Sequence, residues 1–421
     1  MGVLAAARLE FALTAAVHYA FVATTLGLTP VIAALSFGGL RPGRRGLINR
    51  YAATQLARLY LLNYAIGIVS GLVMELQLGM NWTGAGAAYD PIGSVVAGET
   101  LLAFFIESTL VGLWLASAGT WPDRVRAWLM TGIAATAWLS AIFIICANAY
   151  LHRPVGFAPD GSLADPLALF TNPSALGAIP HVAAAAGITG GFWIAATGAT
   201  LLLRNRAALG LPLDEAPDEV VLGRRLLRLA VPMVAIAAPL TLAFGVLQFA
   251  VARTPDFTAQ PSFFGAFLAL MMFGGFGIWV VTWLVAVPLL ALRRLHRTRW
   301  LLRLMVALAP APLVFNIAGW VYREENRQPW FIVNRVLVAD ALSATSASGV
   351  LITGSLFLLI GVTAAISTWR LMYRAMGAVP GERIGFDTLA PGPEEAAHGR
   401  LEGPPVDDHD DDRDDLLEFS P

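Results

Sequence analysis

Two glutamates and two histidines give this sequence its capacity for chemistry inside a membrane. Glu99 and Glu107 lie in the apolar run GETLLAFFIESTLVGL (98–113), and His18 and His181 lie in two other apolar segments. A charged side chain within a bilayer costs at least ~2.5–3.5 kcal/mol on insertion scales, so two carboxylates on one helix need a reason. Helical geometry separates these two by roughly 80° about the axis, so both can face one interior. The pair either holds helices together or serves protons, ions or a cofactor.

The histidines narrow the choice of cofactor. His181 is followed by AAAAGITGG, whose small residues let either a flat macrocycle or another helix approach the backbone. A haem needs only one or two axial ligands from His, Met, Cys or Tyr. Met271 and Met272 lie in a further apolar run, although methionine is more often core filler. The sequence contains no CxxCH motif, so any haem is expected to be held non-covalently.

The composition assigns the chain to the multi-span membrane proteins. Of 421 residues, 57% are hydrophobic and 14% charged, and the mean hydropathy is +0.65. The net charge of −1 gives no reason to expect nucleic acid as a partner. The single cysteine, Cys146, excludes an internal disulfide and a cysteine-ligated metal cluster. Arg8 and Glu10 precede a long first span, so no cleavable signal peptide is expected.

About nine apolar segments are long enough to cross a bilayer. They centre near residues 23, 66, 106, 138, 192, 238, 277, 311 and 361. All 28 basic residues are arginines, and they concentrate in alternate connections: 41–50, 124–126, 204–228, 293–299 and 370–374. By the positive-inside rule, the N-terminus is outside and the C-terminus is cytoplasmic. The sequence therefore predicts an all-α transmembrane bundle over residues 1–377, followed by an acidic, disordered cytoplasmic tail over 378–421.

On this topology the costly polar residues fall in the outer half of the membrane, although they come from different helices. They are His18, Glu75, Gln77, Glu99, Glu107, His181, Arg323, Glu324 and Arg327. Unrelated structural polar groups would not be expected to share one side. The distribution predicts a single polar, cofactor-sized site in the outer half of the bundle.

Several long motifs resemble subunit I of the cytochrome bd-type quinol oxidases, in the order found in that family. They are ARLEFALTAAVHYAFV (7–22), GLVMELQLGMNW (71–82), GETLLAFFIESTLVGL (98–113), CANAYLHRPVG (146–156), IPHVAAAAGITGG (179–191) and GWVYREENRQPW (319–330). The resemblance covers roughly residues 7–375 and implies nine spans and three haems: a low-spin haem b, a high-spin haem b, and a haem d or a further haem b in its place.

The resemblance also implies a role for each ligand candidate. His181 is similar to one axial ligand of the low-spin haem, and Met272 to the other, with Met271 as the alternative. His18 and Glu324 are similar to the axial ligands of the two high-spin haems. Which of the two holds which haem stays open.

Further residues are implied to act around the haem pair. Glu99 would lie beside it, either nearby or as an iron ligand. Glu107 and Ser140 match positions that carry protons inward, and Trp320 matches an aromatic between the low-spin haem and the pair. Two arginines would face haem propionates or neighbouring carboxylates: Arg8 and Arg327.

The implied protein lies in the bacterial plasma membrane with a second membrane subunit (subunit II) and, in some cases, small single-span subunits. It passes electrons from quinol to O2, with protons taken from the cytoplasm. The sequence departs from the family in the connection ARTPDFTAQPSF (252–263), which is too short for the usual quinol-binding loop. The donor is therefore either quinol at a remodelled site or another reductant. Two further departures are Leu270, where the family has an arginine, and His152, where it has a glutamine.

Two other classes of function compete with the oxidase. A haem-free, proton-coupled transporter would use Glu99 and Glu107 and would be colourless. A haem-binding relative without turnover would act as a sensor or assembly partner. The presence of His18, Glu99, Glu107 and Glu324 argues against the latter, because a purely low-spin electron carrier does not need them.

Overall fold

The protein is a bundle of long helices. The computed structural model describes residues 2–84, 90–157, 164–251, 262–344 and 346–378. The bundle helices are α1 (Val3–Gly38), α2 (Gly43–Asn81), α3 (Asp90–Thr100), α4 (Glu107–Ala116), α5 (Asp123–His152), α6 (Leu167–Phe170), α7 (Pro173–Arg204), α8 (Asp218–Val251), α9 (Ser262–Val281), α10 (Val287–Ala291), α11 (Arg299–Ala307), α12 (Ala311–Glu325), α13 (Val338–Ala341) and α14 (Ala347–Ala375). The acidic tail and the connection 252–261 lie outside the described residues.

The predicted helical, multi-pass architecture is confirmed. Within the described ranges, eight helices are long and apolar enough to cross a membrane. A ninth span arises if α11 and α12, which meet at a bend of 41°, cross as one broken helix. Two spans are continued through π-helical stretches, at Leu101–Ile106 between α3 and α4 and at Thr282–Ala286 between α9 and α10. The chain is therefore a multi-pass membrane protein, while its orientation stays a prediction.

The bundle has two ends of different character. The largest buried apolar cluster includes Leu28, Leu56, Trp193, Leu226 and Leu302, and it fills the half that carries most of the arginines. We call this half the arginine-rich end. In the opposite half the helices diverge around a cavity, which we call the cavity end. The dense core holds the helices together at one end, so they can stand apart at the other.

Helix α7 is central because its small residues allow close backbone approach. A Cβ added at Gly190 would lie 2.9 Å from Gly27 Cα on α1. A Cβ at Gly198 would lie 2.8 Å from the Gly223 carbonyl oxygen on α8. Gly190 belongs to the AAAAGITGG run, so helix packing accounts for at least part of that pattern.

A short hairpin covers the cavity end. Strands β1 (Trp330–Ile332) and β2 (Val336–Leu337) pair antiparallel directly after α12. Phe331 stacks on Trp82, at the end of α2, with ring centroids 5.9 Å apart. Both aromatics line the cavity, so the hairpin separates the interior of the bundle from the space beyond that end.

Candidate functional site

A cavity of about 770 Å³ lies within the cavity end and is lined by residues from seven of the long helices. It is the size of a site for a large organic ligand. The structure brings to it nearly all the residues that the sequence placed in one site. They are Arg8, His18, Glu75, Glu99, Glu107, Ser140, His181, Trp320, Arg323, Glu324 and Arg327. Gln77 and Met272 do not line it.

His181 is held in a defined orientation by the neighbouring helix α8. Its Nδ1 lies 2.9 Å from the backbone carbonyl oxygen of Thr241. A carbonyl only accepts, so Nδ1 carries the proton and Nε2 keeps a lone pair for a metal. One turn further along α8, Gly245 leaves room for the ring: a Cβ there would lie 3.3 Å from His181 Cε1. This is the arrangement expected of a metal-ligating imidazole whose second nitrogen is fixed by the backbone.

His18 repeats the same arrangement against helix α2. Its Nδ1 lies 3.2 Å from the Gly67 carbonyl oxygen, and Ser70 Oγ donates to that carbonyl at 2.8 Å. One turn on, a Cβ at Gly71 would lie 3.1 Å from His18 Cε1. Each histidine thus donates to the carbonyl of a residue whose i+4 neighbour is glycine. The sequence identified the two histidines as candidates. It could not identify Gly71 and Gly245 as their neighbours, because that depends on which helices pack together.

Helix α9 turns Met271, and not Met272, toward the cavity. Met271, Gly275 and Ile278 line it at the i, i+4, i+7 spacing of one helix face. The Met271 sulfur lies against Gly319 on α12, next to Trp320. Met272 is 50% exposed on the outer surface, about 100° around the helix. The structure therefore contradicts the placement expected for Met272 and favours the alternative, Met271.

The π-helical stretch Leu101–Ile106 brings the two membrane glutamates closer to one face. In a regular α-helix, Glu107 would lie about 80° around the axis from Glu99. A π-bulge accommodates one extra residue, so this offset falls to about 20°. Both side chains line the cavity. Helical periodicity therefore correctly predicted that Glu99 and Glu107 face one interior. It did not predict the π-helical stretch, which turns the two side chains closer to the same direction.

Each of these glutamates accepts a hydrogen bond from a hydroxyl on another helix. Ser140 Oγ on α5 donates to Glu99 Oε1 at 2.8 Å. Tyr60 OH on α2 donates to Glu107 Oε1 at 2.9 Å, and Glu107 is only 4% exposed. Tyr60 gave no signal in the sequence, because its partner lies 47 residues away. Carboxyl and hydroxyl groups in contact are suited to passing protons toward the cavity.

Glu324 is the centre of a polar network at the end of α12. Arg327 Nη2 donates to Glu324 Oε2 at 2.7 Å, and Asn148 Nδ2 donates to Oε1 at 2.8 Å. His152 Nε2 lies 3.5 Å from the same Oε1, beyond good hydrogen-bond distance. His152 is the last residue of α5 and its side chain is 8% exposed, so this departure from the family lies in the interior, next to the cavity.

The arginines of the cavity differ in their partners. Arg8 Nη2 lies 2.7 Å from Glu325 Oε2, and Arg327 is paired with Glu324. Arg327 also donates to the carbonyl of Phe331. Both implied contacts with neighbouring carboxylates are therefore present. The third cavity arginine, Arg323, has no carboxylate within 4.0 Å among the described residues.

One buried carboxylate lies beside the cavity but outside it. Glu10 on α1 is 6% exposed and accepts from Gln77 Nε2 at 3.1 Å and Asn81 Nδ2 at 3.2 Å. Thr14 Oγ1 donates to Gln77 Oε1 at 2.6 Å. Gln77 therefore anchors α2 to α1 and does not contribute to the cavity.

The donor set suits a haem better than a bare metal ion. Within the described ranges, no group of three or more His, Cys, Asp or Glu side chains is placed to hold a metal. In a haem, the porphyrin supplies four nitrogen ligands to the iron, so the protein needs to supply only one or two axial ligands. Three side chains could supply such ligands: His18, His181 and Met271. Each histidine is fixed through its Nδ1 and has a glycine next to its ring. The residues present fit this cofactor.

Comparison with known proteins agrees with this geometry. The family described as cytochrome bd terminal oxidase subunit I matches residues 6–254 and 244–380. The chain is 26% identical over 452 residues to cytochrome bd ubiquinol oxidase subunit 1 of Bacillus subtilis (strain 168), covering 90% of this chain and 92% of that one. It is 34% identical over 208 residues to cytochrome bd-II ubiquinol oxidase subunit 1 of Escherichia coli (strain K12), covering 47% of this chain and 40% of that one.

A solved structure shares the fold. The bd oxidase from Geobacillus thermodenitrificans superposes with a TM-score of 0.75 at 20% identity, covering 89% of this chain and 98% of that chain. At this identity the likeness concerns the arrangement of helices alone.

Proposed function

The chain belongs to the family of cytochrome bd terminal oxidase subunit I, and we propose that it is the haem-carrying subunit of an oxidase that reduces O2 to water. Membership in the family implies terminal oxidase activity. One observation carries the proposal to this chain: two histidines on different helices present Nε2 to one cavity through the same carbonyl-and-glycine arrangement.

The proposed ligands divide the cavity into two regions. His181 and Met271 would hold the low-spin haem b. His18 would hold one high-spin haem and Glu324 the other, a haem d or a further haem b, with Glu99 beside the pair or as an iron ligand. When bound, haem supplies the iron that takes up single electrons and reduces O2. Trp320, beside Met271 and in the same cavity wall, lies where an aromatic would separate the two regions.

Protons reach the high-spin region through the carboxylates of the π-bulged helix. Glu107 accepts from Tyr60 in the interior, and Glu99 accepts from Ser140, about two turns closer to the cavity end. The π-bulge points both carboxyls into the cavity, about 12 Å apart along the helix, so we propose that the cavity between them carries the proton from Glu107 to Glu99. We propose that the protons come from the cytoplasm, so that O2 reduction separates charge across the membrane without a pump.

The electron donor would bind near the connection between α8 and α9. The relatives from B. subtilis and E. coli are described as ubiquinol oxidases. Residues 252–261, where the sequence departs from the family, lie outside the described residues. We propose quinol as the donor, with a non-quinol reductant as the alternative that the short connection favours.

A second membrane subunit is proposed to cover the helix that carries the two glutamates. In the stretch Leu101–Ile106 no side chain is buried, and Leu101 and Phe105 are 53% and 57% exposed. A helix that carries a proton relay and an uncovered apolar face is suited to an intersubunit contact. Lipid of the bacterial plasma membrane would cover the remaining apolar surface. Small single-span subunits are a further proposed partner.

Oxygen uptake by the purified complex tests the proposal. Uptake driven by a reduced quinol, and lost in His181→Ala, supports a quinol-oxidising enzyme that uses this ligand. Uptake with an artificial reductant but not with quinol would show that the electron donor is a non-quinol reductant. Haem absorption without uptake from any reductant would refute the oxidase and leave a haem-binding relative without turnover.

A further inference from the structure

Among the described residues, one arginine of the cavity makes no direct ion pair with a carboxylate. Arg8 and Arg327 are each 2.7 Å from a glutamate, Glu325 and Glu324 respectively. Arg323, one residue before Glu324, lines the same cavity. Among the described residues, no carboxylate lies within 4.0 Å of its guanidinium. The motif GWVYREENRQPW (319–330) holds both Arg323 and Arg327, and the resemblance implied a role for Arg327 and for Arg8 but not for Arg323.

The contacts of Arg323 are hydrogen bonds to neutral groups. Its Nε donates to Asn148 Oδ1 at 3.0 Å, and its Nη2 donates to Ser174 Oγ at 3.3 Å. These acceptors come from α5 and α7, so they fix the side chain from two sides. They do not neutralise it. Arg323 is partly buried, and the carboxylate that attracts it, Glu324, is already paired with Arg327 at 2.7 Å. Two arginines thus share one carboxylate, and a second anion would lower the cost of holding both charges in the interior.

Asn148 keeps Arg323 apart from its nearest carboxylate. The Asn148 amide donates from Nδ2 to Glu324 Oε1 at 2.8 Å while its Oδ1 accepts from Arg323. Both ends of the amide are therefore used, which fixes its orientation. Glu324 Oε2 is taken by Arg327. The guanidinium of Arg323 retains donors that no protein carboxylate satisfies.

Arg323 lies between the two regions of the cavity. It donates to Ser174 on α7, two turns before the proposed low-spin ligand His181 on the same helix. It also directly precedes Glu324 on α12. An anion bound by Arg323 would therefore be close to the proposed ligands of both regions.

We propose that Arg323 binds a carboxylate of the bound cofactor, a haem propionate, and thereby raises the midpoint potential of the low-spin haem. The proposal rests on the proposed function, since it requires haem in this cavity. Arginine suits the task because its planar fork matches a carboxylate at two points. The cation next to the macrocycle favours the reduced form, since the added electron is attracted to it. Arg323 is in this sense a positioning and tuning residue.

Substitution with a matched control tests this proposal. Arg323→Gln removes the charge and keeps hydrogen-bonding capacity. The control is Arg335→Gln, since Arg335 is an exposed arginine at the same end whose guanidinium lies 3.4 Å above the Phe157 ring, outside the cavity. The readout is a spectroelectrochemical titration of the low-spin haem in the intact complex. At the wild-type midpoint, the ratio of reduced to oxidised haem should fall about tenfold in Arg323→Gln and stay unchanged in Arg335→Gln.

A second variant covers the case in which Arg323→Gln fails to assemble. Arg323→Lys keeps the charge but cannot make the two-point contact. It should leave the midpoint close to that of the wild type and shift the propionate carboxylate bands in the redox-difference infrared spectrum. Equal midpoints in Arg323→Gln and Arg335→Gln, or unchanged carboxylate bands in Arg323→Lys, would overturn the proposal alone. Wild-type protein without haem would overturn the proposed function, and this inference with it.

Discussion

Replacing Gly71 with alanine should weaken haem binding at His18. The added Cβ would lie 3.1 Å from His18 Cε1, well inside the ordinary contact distance of about 3.5–4.0 Å. The ring must therefore move away from α2 by a few tenths of an ångström. Its Nδ1 lies 3.2 Å from the Gly67 carbonyl oxygen and 3.1 Å from Ser70 Oγ, both on α2, so the displacement lengthens both contacts to about 3.4–3.5 Å and breaks or weakens them. Loss of such an outer contact to a metal ligand typically weakens binding by about 10–100-fold.

The equivalent change at the other histidine should have a smaller effect. A Cβ at Gly245 would lie 3.3 Å from His181 Cε1, so the displacement is smaller. The bond from His181 Nδ1 to the Thr241 carbonyl starts at 2.9 Å and survives a similar lengthening. Gly277→Ala on α9 is the control, because nothing lies within 4 Å of a Cβ there. Helix propensity alone would stabilise all three variants by about 0.5–1 kcal/mol.

The assay is the haem content of each purified variant, with carbon monoxide difference spectra to count the high-spin haem. We expect Gly71→Ala to lose high-spin haem, Gly245→Ala to lose little, and Gly277→Ala to match the wild type. Full high-spin haem in Gly71→Ala would refute the argument that the glycine positions the histidine. A larger loss in Gly245→Ala than in Gly71→Ala would refute the ranking by distance.

Three further predictions follow from single contacts. Met271→Leu should change the low-spin haem spectrum while Met272→Leu leaves it unchanged, and the reverse result would restore the sequence-based choice. Glu107→Gln should slow O2 uptake by roughly two orders of magnitude at constant haem content. Tyr60→Phe keeps the carboxyl of Glu107 and should slow uptake only about three- to tenfold. Loss of haem in Glu107→Gln would show instead that Glu107 has a structural role. Burial, reinforced by neighbouring arginines, lowers the pKa of His296 from 6.5 to about 4. This histidine stays neutral in the folded protein and becomes protonated in the unfolded chain below about pH 6.5. It therefore removes stability as the pH falls from 6.5 towards 4, and thermal unfolding of His296→Gln in detergent should depend less on pH in that window than unfolding of the wild type.

The helical bundle and the shared site were predictable because they depend on averages over many residues. Twenty or so apolar residues define a span whatever its neighbours are. The polar side chains could be assigned to one end because the arginines of alternate connections fix the direction of each helix. His18, His181, Glu99 and Glu107 therefore converge as expected.

What the sequence could not supply is the rotation and pairing of individual helices. Met271 and Met272 differ by one residue, and only the packing of α9 on α12 distinguishes them. Gly71 and Gly245 have meaning only opposite particular histidines. The residues LLAFFI contain no local pattern that predicts the π-bulge before Glu107. Long-range pairs such as Tyr60 with Glu107 are likewise invisible until the helices are assembled.

The partners of the arginines show the same limit. The three arginines that line the cavity lie near glutamates in the sequence or in space. Arg8 meets Glu325, which is 317 residues away along the chain. Arg323 stands next to Glu324 in the sequence, yet Asn148 separates the two charges. Neighbours in the sequence therefore need not form an ion pair, and only the assembled helices show that Asn148 bridges these two side chains.

The most direct test is a reduced-minus-oxidised absorption spectrum of the purified complex, combined with pyridine haemochrome analysis. We predict three haems per chain, one low-spin b and two high-spin, with the low-spin signal absent from His181→Ala. A colourless wild-type protein would contradict the account. It would leave Glu99 and Glu107 to a proton-coupled transporter in a family fold that has lost its cofactors.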